Sequence, residues 1–310
     1  MSPMILRRIF VLTGPTAVGK TEASLRVAEA LDAEIVSADS MAIYRELDVA
    51  TAKPTAEERR RVPHHLVDLV GPADRFTVAD YRREALASID EIHARGRSAV
   101  VVGGTRLYIL ALMRGFFEGP AADDALRAAL ELEADEVGLA ALHVRLTEVD
   151  PESGLRILPG DRKRIIRALE VHTLTGRTIS DLQAESRLET PPCEGPWVAL
   201  TRDRAELYDR IDRRVDAMIA DGLVAEVGGL LAAGYDPRLT SLQGHGYKEI
   251  IGAIRGDYSM EEGIRLLKRN TRRHAKRQLS WLRGENVAWI EATGEPERVA
   301  RGILAAYRAR

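Results

Sequence analysis

Gly14-Pro15-Thr16-Ala17-Val18-Gly19-Lys20-Thr21 is a complete Gly-x-x-x-x-Gly-Lys-Ser/Thr phosphate loop, and its flanks suit it. Upstream, residues 8–13 (Arg-Ile-Phe-Val-Leu-Thr) form an apolar run long enough for one buried strand. Downstream, residues 22–31 carry helix formers, with Leu25, Ala28 and Leu31 at helical spacing. Strand, glycine loop and helix thus follow in the order the motif requires. The loop amides and the helix N-terminus form an anion nest, Lys20 adds a point charge for the outer phosphate, and the Thr21 hydroxyl is a ligand for Mg2+. A diphosphate or triphosphate group is the predicted ligand. What the phosphate carries is not written in the loop.

The 310 residues are 45% hydrophobic and 30% charged, which suits one large core or two modest ones. No apolar run approaches membrane-spanning length, and residues 1–8 pass directly into the first predicted strand without room for a signal peptide. A cytoplasmic protein with no membrane association is therefore expected. Cys193 is alone in the sequence, so it has no internal disulfide partner, and no metal ligand neighbours it.

Residues 33–38 read as a second strand, a helix capped near Thr77 runs to Ala94, and residues 98–102 read as a third, buried strand. That alternation predicts an α/β protein with a parallel sheet flanked by helices. From residue 121 to 186 the strand signal disappears, and several helices are broken at Pro151, Pro159-Gly160 and Gly176. The expected organisation is a core of residues 1–117 and 196–310 interrupted by an all-helical insert at 118–195. Residues 197–200 restore a strand. Helices are expected over 206–233, 241–255 and 260–283, with a last short strand at Trp289-Ile290.

In open α/β sheets, ligands gather at the carboxyl ends of the strands. The second strand runs into Asp39, which puts a carboxylate at that rim. The third runs into Gly103-Gly104-Thr105, where many phosphate-loop enzymes carry a Walker-B acid for their metal. Here a hydroxyl replaces it, beside two glycines that permit close backbone approach.

The net charge of −2 conceals an uneven distribution. Arg265, Lys268, Arg269, Arg272, Arg273, Lys276, Arg277 and Arg283 fall in one stretch without an acidic residue. On a helix, Arg265, Arg269, Arg272 and Lys276 share a face, with Leu266, Leu267 and Leu279 free to meet a core. A solvated face and a phosphate-binding face both fit this pattern. A second basic cluster, Arg162, Lys163, Arg164 and Arg167, favours nucleic acid. His64 and His65 lack a third ligand at metal-binding spacing and read as packed structural residues, as do Trp281 and Trp289. Tyr108 either walls a channel or packs behind the loop.

The phosphate loop, Ser37-Ala-Asp-Ser-Met-x-x-Tyr44, Thr51-Ala-Lys-Pro54, Pro63-His-His-Leu66, Val102-Gly-Gly-Thr-x-Leu-Tyr108, Arg164-Ile-Ile-Arg-Ala-Leu-Glu-Val171, Gly246-Tyr-Lys-Glu249 and Ala275-Lys-Arg-Gln-Leu-x-Trp-Leu-Arg283 together resemble the bacterial tRNA dimethylallyltransferases (tRNA isopentenyltransferases). The resemblance spans nearly the whole chain. It implies a P-loop NTPase-like core with an inserted all-helical domain that contacts tRNA. It also implies transfer of a dimethylallyl group from its diphosphate to the exocyclic amine of the adenosine on the 3′ side of the anticodon, with that base flipped out of its stack. The partners implied are the tRNA anticodon stem-loop and dimethylallyl diphosphate. The expected cofactor is Mg2+ on Thr21, and a monomer with no obligate protein partner is expected.

An exocyclic adenine amine is a weak nucleophile, so a carboxylate that accepts its proton is useful, and Asp39 fits that role. A departing diphosphate needs cations and amides fixed in advance, which Gly14, Pro15, Thr16, Ala17, Val18, Gly19, Lys20 and Thr21 supply. The resemblance adds Thr105 and Arg214, in Arg210-Ile-Asp-Arg-Arg-Val215, near the reacting groups. For tRNA it implies Asp39, Ser40, Met41, Ala42, Thr105, Arg127, Lys163, Arg164, Ile165, Ile166, Arg167, Gln243, Gly244, His245, Gly246, Tyr247 and Lys248. Arg269, Arg272 and Lys276 of the basic helix join them. Ala42, Arg106 and residues 158–160 depart from the common pattern of Gln, Gly and His-Pro-Asn, which alters the tRNA rim but removes no catalytic group. Two other classes fit parts of the sequence. A small-molecule or nucleotide kinase with a helical lid would share the phosphate loop, and an RNA-binding protein with a vestigial loop would share the basic surfaces.

Overall fold

β1 (Arg7–Thr13), β2 (Ala33–Ala38), β3 (His64–His65), β4 (Ser98–Gly103), β5 (Cys193–Glu194), β6 (Trp197–Thr201) and β7 (Ala288–Glu291) form one sheet in a computed structural model that describes residues 6–117, 119–188 and 190–309. Their order is β3-β2-β4-β1-β6-β7, with β5 paired to β1, and every pairing is parallel. Parallel strands carry helices on both faces, so they are apolar without alternation. In β1, Ile9 and Val11 enter one core while Phe10 and Leu12 enter the other; Val36 and Ile35 divide in the same way.

Register decides where the chemistry gathers. Thr13 and Ala38 both pair with Gly103, so β1, β2 and β4 end at one level. The phosphate loop, Asp39 and Gly104-Thr105 therefore emerge side by side at the carboxyl edge of the sheet.

The helix Lys20–Ala30 follows the phosphate loop, and Val78–Ala94 begins at Thr77, which exchanges capping bonds with Asp80. Residues 206–233, expected as one helix, form two, Arg204–Ala220 and Leu223–Ala232. Gly222, at φ 96°, turns the chain between them. Residues 241–255 open with a 3-10 turn, Thr240–Gln243, before the helix Tyr247–Arg255. The basic helix Met260–Leu282 is capped by Ser259. Five elements are additional to the sequence reading: the helices Ala56–Arg61, Arg106–Met113 and Pro296–Arg308, and the short strands β3 and β5.

This sheet unit comprises the chain up to Met113 and from Pro192 onward; Arg114–Pro191 forms a second compact unit. The expected boundary at position 118 and the entry of residues 1–5 into β1 lie outside the described residues. The second unit is helical, with Asp124–Glu136, Leu139–Val149, Pro151–Arg156, Arg162–Thr175 and Ile179–Leu188. Leu130, Leu142, Leu146, Ile165 and Leu169 fill its own core. Buried Asp150 joins two of its helices, accepting the amide hydrogens of Ser153 at 2.9 Å and Ser180 at 3.1 Å. Among the described residues, no helix is long and apolar enough to cross a membrane.

Candidate active site

A cavity of about 830 Å³ opens at the carboxyl edge of the sheet unit, lined by the phosphate loop, Asp39, Ser40, Met41, Thr105, Arg214 and the turn Gln243-Gly244-His245. The residues expected to carry chemistry thus share one space, although they come from four separate stretches of chain.

The loop keeps its shape through backbone angles and anchors. Gly14 and Gly19 have φ of 148° and 109°, and Ala17 sits at φ 63°. A Cβ on Gly14 would lie 2.8 Å from the Leu200 carbonyl oxygen. Val18 is buried in the core, and Arg210 Nε donates to the Ala17 carbonyl at 2.9 Å. Lys20 Nζ donates to the carbonyls of Gly14 and Pro15 at 2.9 and 2.8 Å. Burial and the neighbouring Arg214 lower the Lys20 ammonium to about 8, while Asp39 works in the opposite direction. Burial likewise pulls Arg214 down, again against the charge of Asp39.

On the facing side, Asp39 Oδ1 accepts the Met41 amide hydrogen at 2.8 Å, which fixes the carboxylate. Thr105 Oγ1 accepts the Ser40 amide hydrogen at 3.0 Å, and the Thr105 amide donates to the Ala38 carbonyl at 3.1 Å. Gly103 permits this approach, since a Cβ there would meet the Ala38 carbonyl oxygen at 2.2 Å.

The sequence reading overlooked the inner face of the basic helix. Leu267, Thr271, His274 and Gln278 line the cavity at i, i+4, i+7 and i+11, a stripe legible once the basic residues are assigned outward. His274 lies 5.0 Å from His245, ring centre to ring centre. Burial, reinforced by His245, Arg277, Lys20 and Lys248, pushes His274 down to about 4, so its imidazole is neutral at physiological pH.

Several residues expected at a tRNA surface are placed otherwise. Ile165 and Ile166 are buried in the helical unit, so their side chains are not available to RNA. Arg127 and Arg167 both pair with buried Glu170, at 2.9 and 2.7 Å, and are half-spent on that carboxylate. Lys163 and Arg164 are exposed in the same unit. In the sheet unit, Ala42 is buried; Tyr247 is fully buried, and its hydroxyl donates to Glu226 Oε1 at 2.7 Å. Gly246 is buried at φ 103°, against Ala50. Gln243 is exposed, and Gly244 and Lys248 are partly so. On the basic helix, Arg272 pairs with Asp212, Lys268 with Asp216 and Arg265 with Glu262. Arg269 is half-buried, while Arg273, Lys276 and Arg277 are exposed.

The remaining singled-out residues are structural. His65 Nε2 lies 2.6 Å from Glu34 Oε2, and His64 Nδ1 lies 2.7 Å from the Val62 carbonyl, both on β3. Tyr108 stacks on Tyr81 at 3.8 Å. Trp281 packs against the core, but Trp289 is 39% exposed and is not a core residue. Cys193 is buried, which pushes its thiol up to about 12 and leaves it unreactive. Among the described residues, no cluster of three His, Cys, Asp or Glu side chains could hold a metal by itself.

The profile of the IPP transferase family matches residues 42–285. The chain is 48% identical over 285 residues to a tRNA dimethylallyltransferase of Geotalea uraniireducens, covering 92% of each. It superposes on the tRNA isopentenylpyrophosphate transferase of Bacillus halodurans with a TM-score of 0.72 and 40% identity, covering 98% of this chain and 97% of that one. A eukaryotic dimethylallyltransferase solved acting on tRNA superposes with a TM-score of 0.77 and 25% identity, over 93% of this chain and 74% of that one. With a phosphate loop and a carboxylate facing each other across one cavity, and with these relatives along nearly its full length, the chain belongs to the tRNA dimethylallyltransferase (IPP transferase) family.

Proposed function

We propose that this protein transfers the dimethylallyl group of dimethylallyl diphosphate to the exocyclic amine of the adenosine on the 3′ side of the tRNA anticodon. The observation that carries the proposal is the single cavity joining the phosphate loop to Asp39 and Thr105. A kinase would need only the first of these, and the family match disfavours it.

The diphosphate sits on the loop amides and Lys20, where fixed donors meet the charge that grows as the carbon–oxygen bond breaks. Arg214, half-buried on the cavity wall and within the field of Asp39, adds a further cation beside Lys20. The adenine amine attacks the prenyl carbon as Asp39 takes its proton. One Asp39 oxygen is held by the Met41 amide, which leaves the other to face the amine. A base reaches such a recessed carboxylate only by leaving its stack. The exposed Lys163, Arg164, Arg273, Lys276 and Arg277 supply phosphate contacts that orient the RNA.

Thr21 lines the cavity in the first turn of its helix and fits Mg2+, an ion that takes few protein ligands and completes its shell with phosphate oxygens and water. Bound there, the ion neutralises charge on the diphosphate. A tRNA substrate places the protein in the cytoplasm. The test is nucleoside analysis of unmodified tRNA after incubation with the protein and dimethylallyl diphosphate. Isopentenyladenosine at the position 3′ to the anticodon is expected, and its absence would refute the proposal.

A further inference from the structure

Gln278 is 6% exposed and sits on the inner face of the Met260–Leu282 helix. Its Oε1 accepts the Thr16 amide hydrogen at 2.9 Å, and its Nε2 donates to the Gly104 carbonyl at 3.1 Å. One planar amide thus ties the phosphate loop after β1 to the glycine turn after β4. The strand ladder between them ends at Thr13 and Gly103, where the Thr13 hydroxyl also donates to the Gly103 carbonyl at 2.8 Å. Beyond that level one segment continues as the phosphate loop and the other as Gly104-Thr105, whose Thr105 hydroxyl accepts the Ser40 amide hydrogen. The cross-link also explains Gly104, since a Cβ there would lie 2.2 Å from Gln278 Nε2.

Resting on the function proposed above, we propose that Gln278 is a positioning residue that fixes the distance between the departing diphosphate and the adenine amine. It touches neither reacting group. It holds the donor loop, and through Gly104 and Thr105 it holds the Ser40-Asp39 segment to which Thr105 is bonded. Transfer between two separately bound substrates depends on their alignment, and a misplacement of about 1 Å costs on the order of a hundredfold in rate. The contact also commits the Thr16 amide, so the diphosphate is bound by the rest of the loop.

Only a side chain that both accepts and donates satisfies the bridge. Gln278→Glu keeps the shape but sets a carboxylate oxygen against the Gly104 carbonyl, and Gln278→Leu removes both bonds. The experiment measures single-turnover transfer at saturating tRNA and dimethylallyl diphosphate, alongside equilibrium affinity for each, in the parent protein, Gln278→Glu, Gln278→Leu, Gly104→Ala and the double variant Gly104→Ala/Gln278→Leu. The expected result is a rate loss of roughly tenfold to a hundredfold in each single variant, with both affinities within about threefold of the parent. The double variant should lose no more than a single one, because both changes break one bridge. Gly104→Ala keeps the reading available if a Gln278 variant fails to fold. Parent-like rates in the variants would overturn the positioning role while leaving the proposed function intact. Tighter diphosphate binding at an unchanged rate would also overturn it, making Gln278 a placeholder for a phosphate oxygen. A parent protein that transfers nothing would sink both.

Discussion

Thr105 Oγ1 accepts the amide hydrogen of Ser40 at 3.0 Å, which binds the end of β4 to the segment that carries Asp39. Where other phosphate-loop proteins carry a Walker-B acid, this chain has a hydroxyl that anchors the segment bearing Asp39. Asp39→Ala should therefore slow single-turnover transfer by roughly a hundredfold to ten-thousandfold, with tRNA affinity changed by no more than a few fold. A near-parental rate would remove Asp39 from the role of base.

In the proposed reaction Lys20 meets the diphosphate directly, so its loss should weaken dimethylallyl diphosphate binding by about tenfold to a hundredfold, as for a charge-assisted contact. Burial lowers its ammonium to about 8 in the free protein. The bound anion favours the charged form, so affinity should be full below that pH and fall as the pH rises through it. Titration calorimetry without added divalent metal between pH 6 and 9.5 would read this limb, which Lys20→Ala should abolish. A flat profile in the parent would place the anion away from Lys20.

On the basic helix, pairing decides which charges remain for RNA. Arg272 is engaged by Asp212 and Lys268 by Asp216, whereas Arg273, Lys276 and Arg277 are exposed. Replacing the latter three with Gln should reduce the slope of log affinity against log salt by about two to three units, and Arg272→Gln should change it less. Equal slopes in the parent and the triple variant would return this face to solvent.

Buried Glu34 makes a stability prediction independent of function. Burial opposes its charge, but bonds from Arg95, His65 and Arg97 outweigh that and hold the carboxyl at about 2. A depressed folded-state value means that the stabilisation is complete above the ordinary glutamate range and is lost as the pH falls toward 2. Because both arginines are half-exposed and screened, the contribution is of order 2 kcal/mol. Glu34→Gln should lower the melting temperature at pH 7 and narrow the gap to the parent at pH 3. An equal gap at both pH values would contradict the assignment.

The strands of the sheet were legible because a buried parallel strand is an apolar run, and the phosphate loop announces both its strand and its helix. The placement of Asp39 and Thr105 at the sheet's carboxyl edge was legible for the same reason, since each follows such a run. Gln278 and His274 were not, because they sit among Arg and Lys in a helix whose charge dominates its pattern, and only the fold turns their face toward the cavity. Ile165 and Ile166 were read with their basic neighbours, although they are the helical unit's core. The short β3 and β5 strands arise from pairing with β2 and β1, a tertiary effect that a local pattern does not carry.

The proposed reaction requires that one cavity take a prenyl diphosphate and a tRNA adenine together. Its most direct test is the intact mass of unmodified tRNA after incubation with the protein, Mg2+ and either dimethylallyl diphosphate or ATP. The predicted result is a gain of one dimethylallyl unit in exchange for one hydrogen, with the diphosphate donor only, and a greatly slowed gain with Asp39→Ala. No gain from dimethylallyl diphosphate, or a phosphoryl gain from ATP, would contradict it.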